Sequence, residues 1–133
     1  MTDIEKNVQI AAPIEKVWAA LTDPTAIGAW MGEASTIQVD LKVGGRYRLF
    51  SGETTGSFTR VEKPRHLEYT WRQGEWHADW PDSVVRWKLT PDGQGTQVRL
   101  IHSGFPNVEE RDGHDEGWDA YWLEPMQDWL ESK

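Results

Sequence analysis

The chain contains no cysteine, and it has no cluster of basic side chains. The absence of cysteine excludes a disulfide framework, a thiol nucleophile and a cysteine-ligated metal site. The chain has 14 Lys and Arg residues and 22 Asp and Glu residues, which gives a formal net charge of −8. Because nucleic acids and anionic membranes are bound by clustered basic side chains, the composition favours neither as a partner.

Long hydrophobic runs are also missing, so no segment of the sequence approaches membrane-spanning length. The first residues lack the basic stretch followed by an apolar run that is typical of a signal peptide. We therefore expect no membrane association and a cytoplasmic protein. A length of 133 residues suits one folded domain that spans residues 1–133.

Tryptophan, by contrast, is abundant, with nine residues in the chain. Near the C-terminus, large apolar residues recur at three- and four-residue steps, which places them on one face of a helix. Three indoles on one face need a broad, curved surface to pack against, and a sheet that wraps the helix would supply it. The spacing predicts one long amphipathic helix whose buried stripe is Trp118, Tyr121, Trp122, Met126, Trp129 and Leu130.

The start and the interior of this predicted helix carry two further signals. Asn107 can cap the first turn, while Glu110 reaches back from the third helical position. Pro125 lies in the helix interior, where it lacks a backbone donor and collides with the carbonyl group of Tyr121. We therefore expect a helix that begins after Asn107 and is kinked near Pro125, at a cost of about 3 kcal/mol.

The N-terminal part of the chain predicts a strand and two short helices. Residues 7–10 alternate between polar and apolar, as a half-buried strand does. Asp23 can cap a second, shorter helix that has Pro24 in its first position and carries Trp30 inward. The first helix has Pro13 in its first position and an apolar stripe of Ile14, Val17, Trp18 and Leu21.

Between residues 35 and 103 the apolar period changes to two, with glycine and proline clusters between the apolar runs. A longer connection at residues 74–82 contains Trp76 and Trp80, which are exposed unless the segment folds back. A solvated loop, a lid, a partner-binding loop and a homodimer contact are the alternatives for this segment. The pattern predicts a meander of antiparallel strands at residues 36–41, 46–50, 55–61, 66–72, 84–89 and 96–103.

Three groups of residues resemble a known family: AAPIEKVWAALTDP at residues 11–24, VGGRY at 43–47, and HSGFP at 102–106 with HDEGW at 114–118. Together they resemble the family named for homology to the activator of the heat-shock protein 90 ATPase. This family lies within the START-like (SRPBCC, polyketide cyclase) superfamily. The resemblance implies an α+β helix-grip (Bet v-type) fold, in which a curved antiparallel sheet wraps a long C-terminal helix and encloses a cavity. It also implies two short helices near the N-terminus and a role in the stress response.

Aromatic rings that line a cleft bind flat apolar ligands through contact area and ring edges. Packing in the core is the alternative for any single ring, and Met31 is included because a thioether adapts to varied ligand shapes. Arg86 and Tyr47 are candidates for orienting a ligand. With the positions that the family fold implies, the candidate ligand-binding residues are Trp30, Met31, Tyr47, Trp71, Arg86, His102, Trp118 and Trp122.

His102 is the most informative polar residue in the pattern. Strand alternation places it on the same face as Val98 and Leu100, where an imidazole could orient a ligand or move a proton. The alternative is a buried histidine bonded to a backbone carbonyl or to the start of the terminal helix. No matching nucleophile is evident, so His102 is the single weak catalytic candidate. His77 and Asp79 do not make a metal site by themselves, and we expect neither a metal nor a cofactor.

These observations lead to three hypotheses about function. The first is a small binding protein that holds a hydrophobic or aromatic small molecule between the sheet and the C-terminal helix. The second, suggested by the family name, is co-chaperone action on the heat-shock protein 90 ATPase, which requires contact with the chaperone. The third is an enzyme of the cyclase, dehydratase or hydrolase kind with His102 as its acid or base. A lone histidine is a thin basis for catalysis, so a non-enzymatic role is favoured.

Overall fold

The structure is a computed structural model, and it describes residues 2–32 and 37–132. The helices in this part of the chain are α1 (Ile14–Thr22), α2 (Pro24–Met31), α3 (Val108–Gly117) and α4 (Glu124–Glu131). A 3₁₀ turn covers Phe50–Gly52, and a π-helical segment, Trp118–Leu123, joins α3 to α4. The described strands are β1 (Ile4–Ile10), β2 (Gln38–Val39), β3 (Arg46–Leu49), β4 (Thr54–Glu62), β5 (His66–Gln73), β6 (Ser83–Asp92) and β7 (Gly95–Ser103).

These seven strands of the described chain form one antiparallel sheet in the order β1-β7-β6-β5-β4-β3-β2. Strands β2 to β7 follow one another as a meander, and β1 pairs with β7, with Ile4 opposite His102. The register between β4 and β5 shifts between Phe58 and Arg60, and such irregularities bend a strand. The curved sheet wraps the C-terminal helix, which confirms the predicted helix-grip fold.

The predicted strand meander is confirmed, with most strands longer than predicted. The buried positions alternate as expected, for example Val85, Trp87 and Leu89 on β6. The prediction for residues 36–41 is too long, because β2 covers Gln38–Val39, and residue 36 lies outside the described residues. This strand lies at the edge of the sheet and pairs with β3 alone, so little backbone pairing supports a longer one.

The two N-terminal helices are confirmed with one difference at the start of α1. Pro13 caps that helix with an extended ψ of 150°, so the first helical residue is Ile14 and not Pro13. The carboxylate of Asp23 caps α2 by accepting a hydrogen bond from the Thr25 amide at 3.1 Å. Both helices pack against α4. The predicted stripe of α1, Ile14, Val17, Trp18 and Leu21, is buried.

The C-terminal helix begins where the sequence predicts, but its first turn is capped differently. The Asn107 side chain accepts a hydrogen bond from the Glu110 amide at 2.8 Å. The Glu110 carboxylate does not reach back to complete the predicted capping box. It instead accepts a hydrogen bond from the indole Nε1 of Trp76 at 2.7 Å, because the segment at residues 74–82 folds against this helix.

Pro125 is accommodated by the π-helical segment that precedes it. The Glu124 amide bonds to the Asp119 carbonyl, five residues back, so the chain makes one wide turn before α4 starts. Pro125 then stands in the first turn of α4, which continues directly from the π-helical segment, and the wide turn before it accommodates the missing N–H. The wide turn also rotates the helix face. Tyr121, expected in the buried stripe, is 70 % exposed, and Leu123 is buried in its place.

Across residues 2–32 and 37–132, no helix reaches the length and hydrophobicity that crossing a bilayer requires.

Candidate functional site

A cavity of about 430 Å³ lies between the sheet and the C-terminal helix. This volume falls within the range of small-molecule sites. Its wall combines the 3₁₀ turn, β4 and β5 on the sheet side with α3 and the π-helical segment on the helix side. The residues that line it are Phe50, Thr54, Trp71, Gln73, Glu109, Glu110, Gly113, His114, Gly117, Trp118, Tyr121 and Trp122.

Three indoles form the apolar part of the wall. The ring of Trp71 lies 5.2 Å from that of Trp118 and 6.0 Å from that of Trp122, and the last two are 4.8 Å apart. Trp87 packs behind them, with its ring edge against Trp118 at 5.7 Å. Tilted and edge contacts at these distances are favourable for aromatic rings. The wall is therefore a packed cluster and not a set of independently mobile side chains.

His102 is fully buried behind this wall and bonded on both ring nitrogens. Its Nδ1 accepts a hydrogen bond from the indole Nε1 of Trp118 at 3.0 Å. Because an indole N–H only donates, the proton of the neutral imidazole lies on Nε2, which donates to Ser83 Oγ at 2.8 Å. Ser83 in turn donates to the Trp71 carbonyl at 2.8 Å. One chain of hydrogen bonds thus joins β5, β6, β7 and the helix.

Burial lowers the pKa of His102 to about 2, with a further contribution from the neighbouring His114. The imidazole is therefore neutral near pH 7. It does not line the cavity, and both of its nitrogens are occupied. These contacts match the alternative of a buried, bonded histidine, although the partners are a serine hydroxyl and an indole and not a backbone carbonyl. They give no support to His102 as an acid or base.

His114 binds the indole of Trp71 as His102 binds that of Trp118. The Nε1 of Trp71 donates to His114 Nε2 at 3.1 Å, and His114 Nδ1 bonds to the Glu110 carbonyl at 2.7 Å. Unlike His102, this histidine lines the cavity. Two wall tryptophans are therefore each held by a histidine, which fixes the planes of their rings.

The segment at residues 74–82 folds back against α3. Trp76 is 6 % exposed and bonded to Glu110, and Trp80 is half-buried. Arg72 holds the segment through Asp82 at 2.6 Å and through the carbonyls of His77 and Trp80. The segment therefore does not present two exposed indoles to a partner. In the described part of the chain, no group of three or more His, Asp or Glu side chains is placed to hold a metal ion.

Of the eight predicted ligand-binding residues, Trp71, Trp118 and Trp122 line the cavity. Trp30 lies behind the wall, where its ring packs against Trp122 at 5.5 Å and its Nε1 donates to the Ala20 carbonyl. His102 lies behind the wall as described above.

The other three predicted residues lie away from the cavity. Met31 is half-buried against the core. Tyr47 is buried, and its hydroxyl donates to the Thr70 carbonyl. Arg86 alternates with the buried residues of β6 and therefore lies on the outer face of the sheet, paired with Glu68 at 2.6 Å. The cavity wall therefore contains neither an Arg86 guanidinium nor a Tyr47 hydroxyl to orient a ligand.

Several wall residues were missed by sequence reasoning. Phe50 enters the wall through a positive φ of 53°, a backbone feature that strand alternation does not reveal. Gly113 and Gly117 do carry a signal: they lie four residues apart on the helix, which keeps one face free of side chains. Combined with the neighbouring Trp118, that spacing indicates a helix face with open space beside it.

The family model described as "Activator of Hsp90 ATPase homolog 1-like protein" matches residues 11–131. The chain belongs to this family. Its fold is shared with solved members and neighbours. An HSP90 activator from Plasmodium falciparum superposes with a TM-score of 0.85 at 27% identity, covering 98% of this chain and 96% of that one. CalU16 from Micromonospora echinospora superposes with a TM-score of 0.81 at 30% identity, covering 96% and 73%.

The family also includes longer proteins. The human activator of 90 kDa heat shock protein ATPase homolog 1 is 23% identical over 122 residues, which are 92% of this chain and 35% of that protein. The chain thus spans about a third of the length of the curated relatives it matches. The predicted membership of the START-like superfamily is confirmed by these similarities.

Proposed function

We propose that the protein binds a hydrophobic or aromatic small molecule in the cavity between the sheet and the C-terminal helix. The observation that carries this proposal is the wall of three packed indoles, two of them hydrogen-bonded to histidines, beside an open volume of about 430 Å³. Buried apolar area supplies affinity at roughly 25 cal/mol per Å². Rings that are already fixed lose little conformational entropy when a ligand binds.

A variant whose added side chain occupies the cavity tests this proposal. A Cβ added at Gly113 meets no heavy atom within 4 Å, so the side chain of Gly113→Leu has space at the cavity wall without displacing backbone. The fluorescence of N-phenyl-1-naphthylamine, a neutral aromatic probe, should rise saturably with the unmodified protein. Gly113→Leu should weaken this binding by about ten-fold or more.

The control is Glu116→Leu, which adds a leucine at an exposed position of the same helix, outside the cavity wall. It should bind the probe as the unmodified protein does. Equal binding by both variants, or no saturable binding by any of the three proteins, would contradict the proposal.

A second proposed function is activation of the heat-shock protein 90 ATPase. What favours it is the likeness to the Plasmodium falciparum HSP90 activator, which covers 98% of this chain and 96% of that chain. Exposed apolar side chains that could meet a partner are present, including Tyr121 and Val108 on the helix that lines the cavity.

The ATPase turnover of purified chaperone, measured with and without this protein, tests the second proposal. Stimulation by the unmodified protein that is reduced in Tyr121→Ser would support it. Glu124→Gln, at an exposed position of the same helical stretch, serves as the control and should stimulate normally. An unchanged turnover at saturating protein would reject this function.

A further inference from the structure

The cavity wall has an unbalanced set of polar groups. Its carboxylates come from Glu109 and Glu110 in the first turn of α3, and among the described residues that line it none is Lys or Arg. The protein as a whole carries a net charge of −8. An anionic ligand would therefore enter against two nearby negative charges, whereas a cationic ligand would be attracted by them.

One of these carboxylates is held in place. The Trp76 indole donates to Glu110 Oε1 at 2.7 Å, and Glu110 is half-buried. Within the described residues, no hydrogen bond or ion pair to its Oε2 is formed. A fixed carboxylate with one oxygen unpaired can accept a hydrogen bond from a charged donor at little entropic cost.

Three hydrogen-bond donors of the wall are occupied. The indole N–H groups of Trp71 and Trp118 donate hydrogen bonds to His114 and His102, respectively. The Thr54 hydroxyl donates to the Gln73 side-chain oxygen at 2.6 Å. The remaining side-chain donors of the wall, on Gln73, Tyr121 and Trp122, are neutral, so the charged groups that the wall offers are carboxylates.

The ring faces favour the same class of ligand. Indole faces attract cations through the quadrupole of the ring, and tryptophan is the strongest side chain in this respect. Trp71 and Trp118 are 4 % and 2 % exposed and pack against each other, so only the small parts of their rings that border the cavity can contact a ligand.

We infer that the cavity selects organic cations, with a protonated amine carried on a flat apolar body. This inference deepens the proposed binding function and rests on it. The amine is placed by the Glu109 and Glu110 carboxylates, and the apolar body packs against the three indoles.

Three naphthalene compounds of similar size test this inference: 1-naphthylmethylamine, which is protonated at neutral pH, neutral 1-naphthalenemethanol and anionic 1-naphthoic acid. Affinity is measured by calorimetry, and the indole N–H signals of Trp71 and Trp118 in NMR spectra report whether the compound occupies the cavity. The amine should bind about ten-fold more tightly than the alcohol, and the acid most weakly.

The double variant Glu109→Gln/Glu110→Gln should remove this preference while keeping an acceptor for Trp76. Glu116→Gln removes one charge from an exposed position of the same helix and should keep the preference. An alcohol or acid that binds as tightly as the amine, or a preference that survives in the double variant, would overturn the inference and leave cavity binding intact. Failure of all three compounds to shift the indole signals would instead count against the proposed function, and the inference would fall with it.

Discussion

The indole Nε1 of Trp118 donates to His102 Nδ1 at 3.0 Å, and neither side chain is more than 2 % exposed. This bond connects the helix that closes the cavity with strand β7 of the sheet. It also settles which nitrogen of His102 carries the proton, because the indole can only donate. The relationship between the two rings therefore determines both the position of the cavity wall and the chemical state of the histidine.

Trp118→Phe should lower the free energy of unfolding by about 1–3 kcal/mol, since it leaves His102 Nδ1 as a buried acceptor without a partner. Chemical denaturation of the two proteins gives the difference. Trp80→Phe, at a half-buried ring outside this network, is the control and should cost less. Equal losses for the two variants would show that ring size, and not the hydrogen bond, decides the stability.

His102 should make stability depend on pH. The pKa of an unfolded histidine is near 6.5, and burial lowers the pKa of His102 to about 2. Between these values the unfolded chain binds more protons, so the free energy of unfolding rises with pH. The stabilisation is complete above about pH 6.5 and is lost as the pH falls toward 2.

This loss amounts to about 2 kcal/mol between pH 7 and pH 5, at about 1.4 kcal/mol per unit. Urea titrations at the two pH values should show it in the unmodified protein and much less in His102→Gln. His77→Gln, at an exposed histidine, should keep the full dependence. A His102→Gln protein with an unchanged pH dependence would contradict this assignment.

Two glycines should respond to alanine in opposite directions. A Cβ at Gly56 would lie 1.9 Å from the Thr70 carbonyl oxygen and 2.7 Å from the Tyr47 hydroxyl, so Gly56→Ala should destabilise by about 3 kcal/mol. At Gly113 a Cβ meets nothing within 4 Å in a helix, so Gly113→Ala should stabilise by about 1 kcal/mol. Thermal unfolding should move in opposite directions for the two variants, and a common direction would refute the packing argument.

Pro125 should be replaceable at small cost. Because the wide π turn before it accommodates the missing N–H, Pro125→Ala should change the free energy of unfolding by less than about 1 kcal/mol. Asp128→Pro, in the interior of the same helix, should cost about 3 kcal/mol or more. Denaturation midpoints for the two variants test this contrast. Similar costs would mean that the π turn does not relieve the proline.

The sequence alone determined the strands and helices, and the family resemblance in it implied the helix-grip architecture. Strand alternation predicted the burial of Val85, Trp87 and Leu89, and capping signals at Asp23 and Asn107 predicted where two helices begin. These features are local, since they depend on a residue's own backbone period or on groups two to three positions away. The aromatic stripe also indicated correctly that Trp118 and Trp122 face the sheet.

The tertiary structure decided the membership of the cavity wall. A single wide π turn before Pro125 left Tyr121 exposed at the rim of the cavity and buried Leu123 in the core, which the regular helical period cannot predict. The partners of His102, at Ser83 and Trp118, are 19 and 16 residues away along the chain. Hydrogen bonds between such distant residues exist only once the strands and the helix have packed, because that packing fixes the direction of each donor. The sequence contains the aromatic side chains, and long-range packing determined which of them border the cavity.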